Sequence, residues 1–417
     1  MIMTRSKDQE RSFFLGRQPI LDIKQEIVGY ELLFRSADIG WSDYDNQDHA
    51  SISVISSVLS NFGLKEVLGE KTGFINITEE VLQSDMVEVL PREQVVLELL
   101  ESIPLNERNR KRAMELKAKG FRLALDDHIY SHKYSDMYQF VDVIKINLLD
   151  VSSTELPGMA ASLQQFPVTL LAECVETMEQ FRDCLELNFK LFQGYFFARP
   201  VVLKRTGMEA SKVAMLKLLD ILREETPIEE IEEIFRNYPD LSYNMLKLVN
   251  SVRSNLREKI KGLRHAIMML GLEKLRRWVQ LAIFAGSDVR GINNPLLEMA
   301  AVRGRLMEYL VMQRHSLVRD DEMVEAAFMT GILSLLDVLF ETSMEEVVRE
   351  FRLSDSVTQA LLNREGELGG FLALAETLEM VNFGEVQRLV EATDISLPQL
   401  IKAQMAAYNW RSSMISS

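Results

Sequence analysis

Two cysteines in 417 residues, Cys174 and Cys184, provide no disulfide framework, and they form no C-x-x-C pair of the kind found in zinc or redox sites. Histidine is scarce as well. The chain has five, none followed by aspartate, so no His-Asp dyad is available as a metal-binding unit. Basic charge is in deficit, with 47 Lys and Arg against 62 Asp and Glu and a net charge of −15. That excludes a general nucleic-acid binder, which needs a basic field to neutralise phosphates. It leaves room for a small phosphorylated ligand, because a bound divalent cation reverses the local sign. Long apolar runs are missing too. The start, MIMTRSKDQERSFF, has no signal-peptide core, and the most apolar later stretch, AFMTGILSLLDVLF, spans 14 residues and includes Asp337. This is short for a membrane helix and reads as a buried helix, so the expectation is a soluble, cytoplasmic protein with no membrane contact. No internal repeat, heptad run or low-complexity tract occurs.

The first half alternates strand-like and helix-like segments. Strands are expected at FFLGRQPIL, EIVGYELLF, GFINIT, QVVLELL, FRLALD, VDVIKIN, VTLLAEC and LFQGYFF. Between most of them lie polar helix formers such as NERNRKRAMELKAKG, which ends on a glycine. The strands are rich in Val, Ile, Leu and Phe, as expected where helices cover the sheet or a barrel closes. Eight of them in about 200 residues predict a (β/α) barrel. The first two are joined by only a few residues around DIKQ, too few for a parallel crossover. They are expected to form an antiparallel hairpin, which makes this a modified TIM barrel.

Beyond about residue 205 the strand signal stops. LSYNMLKLVNSV places Leu241, Met245, Leu248, Val249 and Val252 at helical spacing, and GLEKLRRWVQLAIFAG and EMVEAAFMTGILSLLDVLF continue the pattern. An all-helical second half follows, with the boundary near RPVVLKRTG. Trp278, Phe284, Met268, Met269 and Phe328 read mostly as its core, although some of them suit a groove for a partner helix. EETPIEEIEE reads as a solvated helix start with Pro227 near the first turn.

The strand ends carry the chemistry. Glu31 sits in the second strand and Asn76 follows GFI. Glu98 and Glu101 lie in VVLELLES, Asp126 and Asp127 close FRLAL, and Lys145 and Asn147 lie in VIKIN. Glu173 and Glu176 lie in LLAECVE, and Gln193 opens QGYFF. One Asp at a strand end is most simply a helix cap. Nearly every strand delivering a polar group towards its C-terminal end is the pattern of a barrel site. An all-oxygen set of carboxylates and an amide suits Mg²⁺ or Mn²⁺ rather than zinc. A pair of such ions suits attack of water on a phosphodiester.

The motifs QPILDIKQEIVGYELLFR, FINIT, VLELLE, LALDDH, VIKIN, AECVET and FQGYFFARP resemble, in order and spacing, the EAL domain, over about residues 11–204. The resemblance implies a barrel that binds cyclic di-GMP and, in active members, hydrolyses it with two Mg²⁺ or Mn²⁺ ions. By resemblance, Glu31, Asn76, Glu98, Asp126, Asp127 and Glu176 are metal ligands, and Glu173 is the general base or water-orienting group. Lys145 completes the catalytic set, and Glu101 matches the residue that braces the loop after the aspartates. Gln18, Arg35 and Gln193 contact the nucleotide. About residues 205–400 resemble the HDOD module through LSYNMLKLVNS, GLRHAI and FMTGILSLLD. The tandem looks like a bacterial signalling architecture, with a protein partner at the helical half and a homodimer among its compatible assemblies.

Several positions depart from these families. Leu32 stands where the EAL signature has Ala, and DDHIYSHKYS replaces a loop resembling DDFGTGYSSL, losing both glycines. Asn147 stands where Asp is usual, and Cys174 replaces a glycine. In the helical half Ser334 and Leu335 occupy the positions of the His-Asp pair of HD hydrolases, so no metal is expected there. His265 is expected to pack or cap locally. His128 is read as a solvated or hydrogen-bonded loop residue rather than a ligand, with His132 four residues on able to share a helical face with it. The ligand set with a rewritten loop predicts a regulator that binds cyclic di-GMP or a partner with little or no hydrolysis. The alternatives are an active phosphodiesterase producing pGpG and an inert dimerisation scaffold.

Overall fold

Asp22 fixes the first turn. In the computed structural model, which describes residues 13–36, 64–197, 210–222, 226–237, 245, 263–285, 295–315, 320–340, 343–350 and 353–415, Asp22 Oδ1 accepts from the amides of Lys24 (2.8 Å) and Glu26 (2.9 Å). Gln25 takes a left-handed φ of 60°. This side-chain-stabilised turn folds β1 (Phe13–Asp22) back on β2 (Ile27–Ser36) as the expected antiparallel hairpin. The remaining strands are β3 (Thr72–Ile77), β4 (Val95–Leu99), β5 (Arg122–Leu125), β6 (Val143–Asn147), β7 (Thr169–Glu173) and β8 (Leu191–Gln193). They run parallel from β2 to β8, and β1 closes the barrel by pairing antiparallel with β8. The fold is thus the modified TIM barrel that the short hairpin predicted.

Helices between the strands start where capping residues allow. Asn106 accepts from the Asn109 amide (2.8 Å) ahead of Glu107–Ala118, and Thr177 and Gln180 form a reciprocal capping box ahead of Met178–Glu186. Inside the barrel, Ile20, Phe74, Val96, Ala124, Val143 and Leu171 form one buried apolar cluster. Side chains two apart on a strand share a face. Asn76, Glu98, Asp126, Lys145 and Glu173 therefore follow Phe74, Val96, Ala124, Val143 and Leu171 on the same face. The apolar layer is the floor of the polar one.

Two compact units are present: Met1–Phe197 with Glu376–Met405, and Ala198–Ala375 with Ala406–Ser417. In the first, the C-terminal segment returns to β1. Gln404 Nε2 donates to the Leu15 carbonyl at 2.8 Å, and a Cβ at Gly16 would lie 2.8 Å from Val381 Cγ1. In the second, the described residues form helices and no strand. Helices Pro295–Arg314 and Asp321–Leu333 touch backbone to backbone, with the Cβ that Gly331 lacks falling 2.5 Å from Gly304 Cα. The stretch AFMTGILSLLDVLF, expected as a single buried helix, breaks after Leu333 and resumes at Leu336–Phe340.

Of the apolar set read as core here, Phe328 is fully buried, Trp278 and Met269 are half-buried and Met268 is exposed. Met245 is helical and buried. Leu241, Leu248, Val249, Val252, the boundary near RPVVLKRTG and the side chains of Phe284 and His265 lie outside the described residues. No helix among the described residues is long and apolar enough to cross a membrane.

Candidate functional site

At the C-terminal end of the barrel one ammonium meets four carboxylates. Lys145 Nζ lies 2.7 Å from Asp126 Oδ1, 2.8 Å from Glu98 Oε1, 2.9 Å from Glu173 Oε1 and 3.4 Å from Glu31 Oε2. Lys145 and Glu98 are completely buried. Strand register supplies the convergence, since Asn76 pairs with Glu98, Asn147 with Glu173 and Gln18 with Glu31. Glu31 is also held by amides: Asn76 Nδ2 donates to Oε1 (3.0 Å) and Gln193 Nε2 to Oε2 (2.5 Å). Gln193 Nε2 also donates to Gln18 Oε1 at 2.7 Å. Its position depends on Gly194, whose φ of 147° and 2.1 Å approach of an added Cβ to the Val175 carbonyl admit no side chain.

The charges are unbalanced. Burial pushes the Glu98 carboxyl well above the usual carboxylate range, raises Asp126, and carries Glu173 to about 8. Burial alone would lower Lys145, but the pull of Glu31, Glu98, Glu173 and Asp126 holds it well above its ordinary value. Four buried oxygens, Asn76 Oδ1, Glu98 Oε2, Glu173 Oε2 and Gln193 Oε1, have no hydrogen-bond donor. Unpaired oxygens around surplus negative charge fit a hard divalent cation by donor chemistry. Among the described residues, however, no three Asp, Glu, His or Cys side chains are arranged to hold a metal ion as they stand.

Other candidates stand apart. Asp127 is exposed in a left-handed conformation (φ 43°), and its Oδ1 accepts from Asn147 Nδ2 at 3.2 Å. An Asp at 147 would repel it; the Asn attracts it without a cation. Glu176 is exposed beyond the end of β7, outside the group around Lys145. Arg35 lies on β2, with its side chain outside the described residues. Cys174 adopts a φ of 55°, the backbone region that favours glycine.

The rewritten loop is pinned by a tyrosine that the sequence reading did not single out. The His128 ring is buried, with Nε2 2.7 Å from Tyr138 Oη and its own amide donating to the Lys145 carbonyl (2.9 Å). Tyr138 Oη also accepts from the Ser131 amide (3.0 Å) and donates to the Ser131 carbonyl (3.1 Å). Tyr130 stacks on Tyr138 at 5.8 Å. Burial lowers His128 to about 4, so it is neutral at physiological pH. His132 does not share a face with it. It opens a separate 3-10 turn, is exposed, and contacts Tyr130 Oη at 3.2 Å. A cavity of about 400 Å³ lies beside this loop, lined by Leu99, Glu101, Asp126, His128, Tyr130 and Tyr134 among others.

Residues 4–200 match the EAL domain family and residues 211–368 the HDOD domain family. The chain is an EAL–HDOD tandem protein. It is 29% identical over 390 residues to the uncharacterized protein YuxH of Bacillus subtilis, covering 91% of this chain and 94% of that one. It is also 29% identical over 412 residues to the cyclic di-GMP phosphodiesterase CdgJ of Vibrio cholerae, covering 97% and 93%. Among solved structures, the EAL-domain protein YkuI of Bacillus subtilis, in complex with substrate c-di-GMP and calcium, is 18% identical, covers 62% of this chain and 73% of that one, and has a TM-score of 0.39. In the HDOD unit, the position resembling the HD histidine holds Ser334. Its Oγ accepts from the buried Arg303 Nη1 (2.6 Å) and donates to the Gly331 carbonyl (2.7 Å).

Proposed function

We propose that the EAL barrel binds cyclic di-GMP at the acidic centre together with Mg²⁺ or Mn²⁺ and turns it over little, while the HDOD unit carries the resulting state to a protein partner. The observation that carries this reading is the surplus of buried, unpaired oxygens around Lys145, which no packing requirement explains and which is costly without counter-charge. Glu31, Asn76, Glu98, Asp126 and Asp127 would hold the ions. A bound divalent ion would neutralise phosphate charge and lower the pKa of a bound water. Gln18 and Gln193, joined to each other beside Glu31, would orient the nucleotide.

The placement of the rewritten loop supports slow turnover. Asp127 is drawn towards Asn147, and the loop behind it is tied down at Tyr138. Misplacing a reacting group by about 1 Å costs on the order of a hundredfold in rate. A working phosphodiesterase yielding pGpG is the second reading, favoured by the four carboxylates that meet at the strand ends around Lys145.

The test is calorimetric titration of cyclic di-GMP in Ca²⁺ with wild type and with the double variant Asp126→Asn, Asp127→Asn. Binding that the double variant abolishes supports the reading, and binding that persists undiminished contradicts it.

A further inference from the structure

We infer that Lys145 is a tethered cation that excludes a divalent ion from this centre, so that metal loading requires its ammonium to leave the four carboxylates. This rests on the metal-binding reading above and adds a regulatory step to it. The oxygens of Asp126, Glu98, Glu173 and Glu31 all face Nζ, at 2.7–3.4 Å. Oxygen ligands approach Mg²⁺ at about 2.0–2.1 Å and Ca²⁺ at about 2.3–2.6 Å, so a metal needs the same oxygens drawn closer around one point. That point is filled by the ammonium, and the four carboxylates are spread around it. Two cations sharing one set of carboxylates repel one another at contact distance.

Lysine suits this role. Its charge is a point on a flexible four-carbon stem, able to leave by side-chain rotation, where a planar guanidinium would be fixed by paired hydrogen bonds. The ammonium also offers a destination for an anionic ligand. A phosphodiester entering the mouth of the barrel attracts Lys145 out of the carboxylates and frees them for metal. Nucleotide and metal binding are then positively coupled, each strengthening the other.

The experiment measures Mn²⁺ binding by electron paramagnetic resonance in the full-length protein, wild type against Lys145→Met. The expected result is roughly tenfold or more tighter Mn²⁺ binding in the variant, within the usual range of coupling between sites. Equal or weaker binding in the variant overturns the exclusion and leaves the metal site standing. No Mn²⁺ bound by either folded protein overturns both. Should the variant fail to fold, wild type alone decides: acetylation of Lys145 by an amine-reactive reagent, read by mass spectrometry, rises once Mn²⁺ is bound. Unchanged or reduced labelling with Mn²⁺ bound contradicts the inference.

Discussion

Lys145 Nζ lies 2.8 Å from Glu98 Oε1, and both side chains are sealed from solvent. Their removal is not symmetric. The ammonium is the only cation touching Glu31, Glu98, Asp126 and Glu173 among the described residues, whereas Glu98 is one anion of four. In metal-free buffer Lys145→Met is expected to cost about 3–5 kcal/mol, the penalty for leaving buried charge unpaired. Glu98→Gln keeps the shape, relieves repulsion and costs about 1 kcal/mol, the scale of one hydrogen bond. Urea unfolding in EDTA compares them, and equal losses would contradict a centre that is short of positive charge.

The Tyr138 hydroxyl joins His128 to both backbone groups of Ser131. Tyr138→Phe leaves the buried His128 ring nitrogen without this partner and is expected to destabilise the barrel by about 1–3 kcal/mol. Hydrogen exchange at the Ser131 amide should accelerate in the same variant. An unchanged exchange rate would mean that the loop is held by something other than this hydroxyl.

Cys174 occupies a left-handed backbone conformation, φ 55°, of the kind that favours glycine. Left-handed φ costs a residue with a Cβ about 1–2 kcal/mol, offset in part by the entropy that glycine loses on folding. Cys174→Gly is therefore expected to raise stability by about 0.5–1 kcal/mol, measured by denaturant midpoint. A loss of stability would show that the thiol contributes packing that outweighs the strain.

Burial raises Glu173 to about 8 in the folded protein, against about 4.3 in an unfolded chain. Between those values the folded state holds a proton that the unfolded state has released, so stability falls as pH rises through the window. Raised Glu98 and Asp126 act in the same direction. Above about pH 6.5 His128, lowered to about 4, is mostly neutral in both states and adds little to the slope. Scanning calorimetry in EDTA should show Tm falling from about pH 7 to 8.5, with Glu173→Gln flattening the decline. A rising Tm would contradict the buried, protonated carboxyl.

The polar layer was legible because a strand repeats every two residues. Val96 before Glu98 and Val143 before Lys145 put an apolar floor and a charged ceiling on one face, and eight apolar strands left a barrel as the way to bury them. The hairpin was legible from the length of its turn. Convergence on Lys145 was not, because distances between strand ends depend on how the barrel closes. Glu176 belongs to the same motif as Glu173, yet β7 ends at Glu173 and the following turn leaves Glu176 in solvent. Tyr138 carried a signal in the spacing of Tyr130, Tyr134 and Tyr138, which the adjacent histidines overshadowed. The contact between Gln404 and Leu15 joins residues 389 apart, and no local pattern encodes it. The break at Ser334 was hidden because a continuous apolar run looks alike in one helix or two.

The most direct measurement is the fate of cyclic di-GMP on the full-length protein with Mn²⁺, following bound nucleotide by equilibrium dialysis and pGpG by chromatography in the same samples. The account predicts Mn²⁺-dependent retention of intact cyclic di-GMP over many hours, with pGpG forming at about a hundredth or less of the rate seen once residues 128–131 carry the glycine-containing loop. Rapid, complete conversion to pGpG by the unaltered protein, or no retention of nucleotide with Mn²⁺ bound, would contradict it.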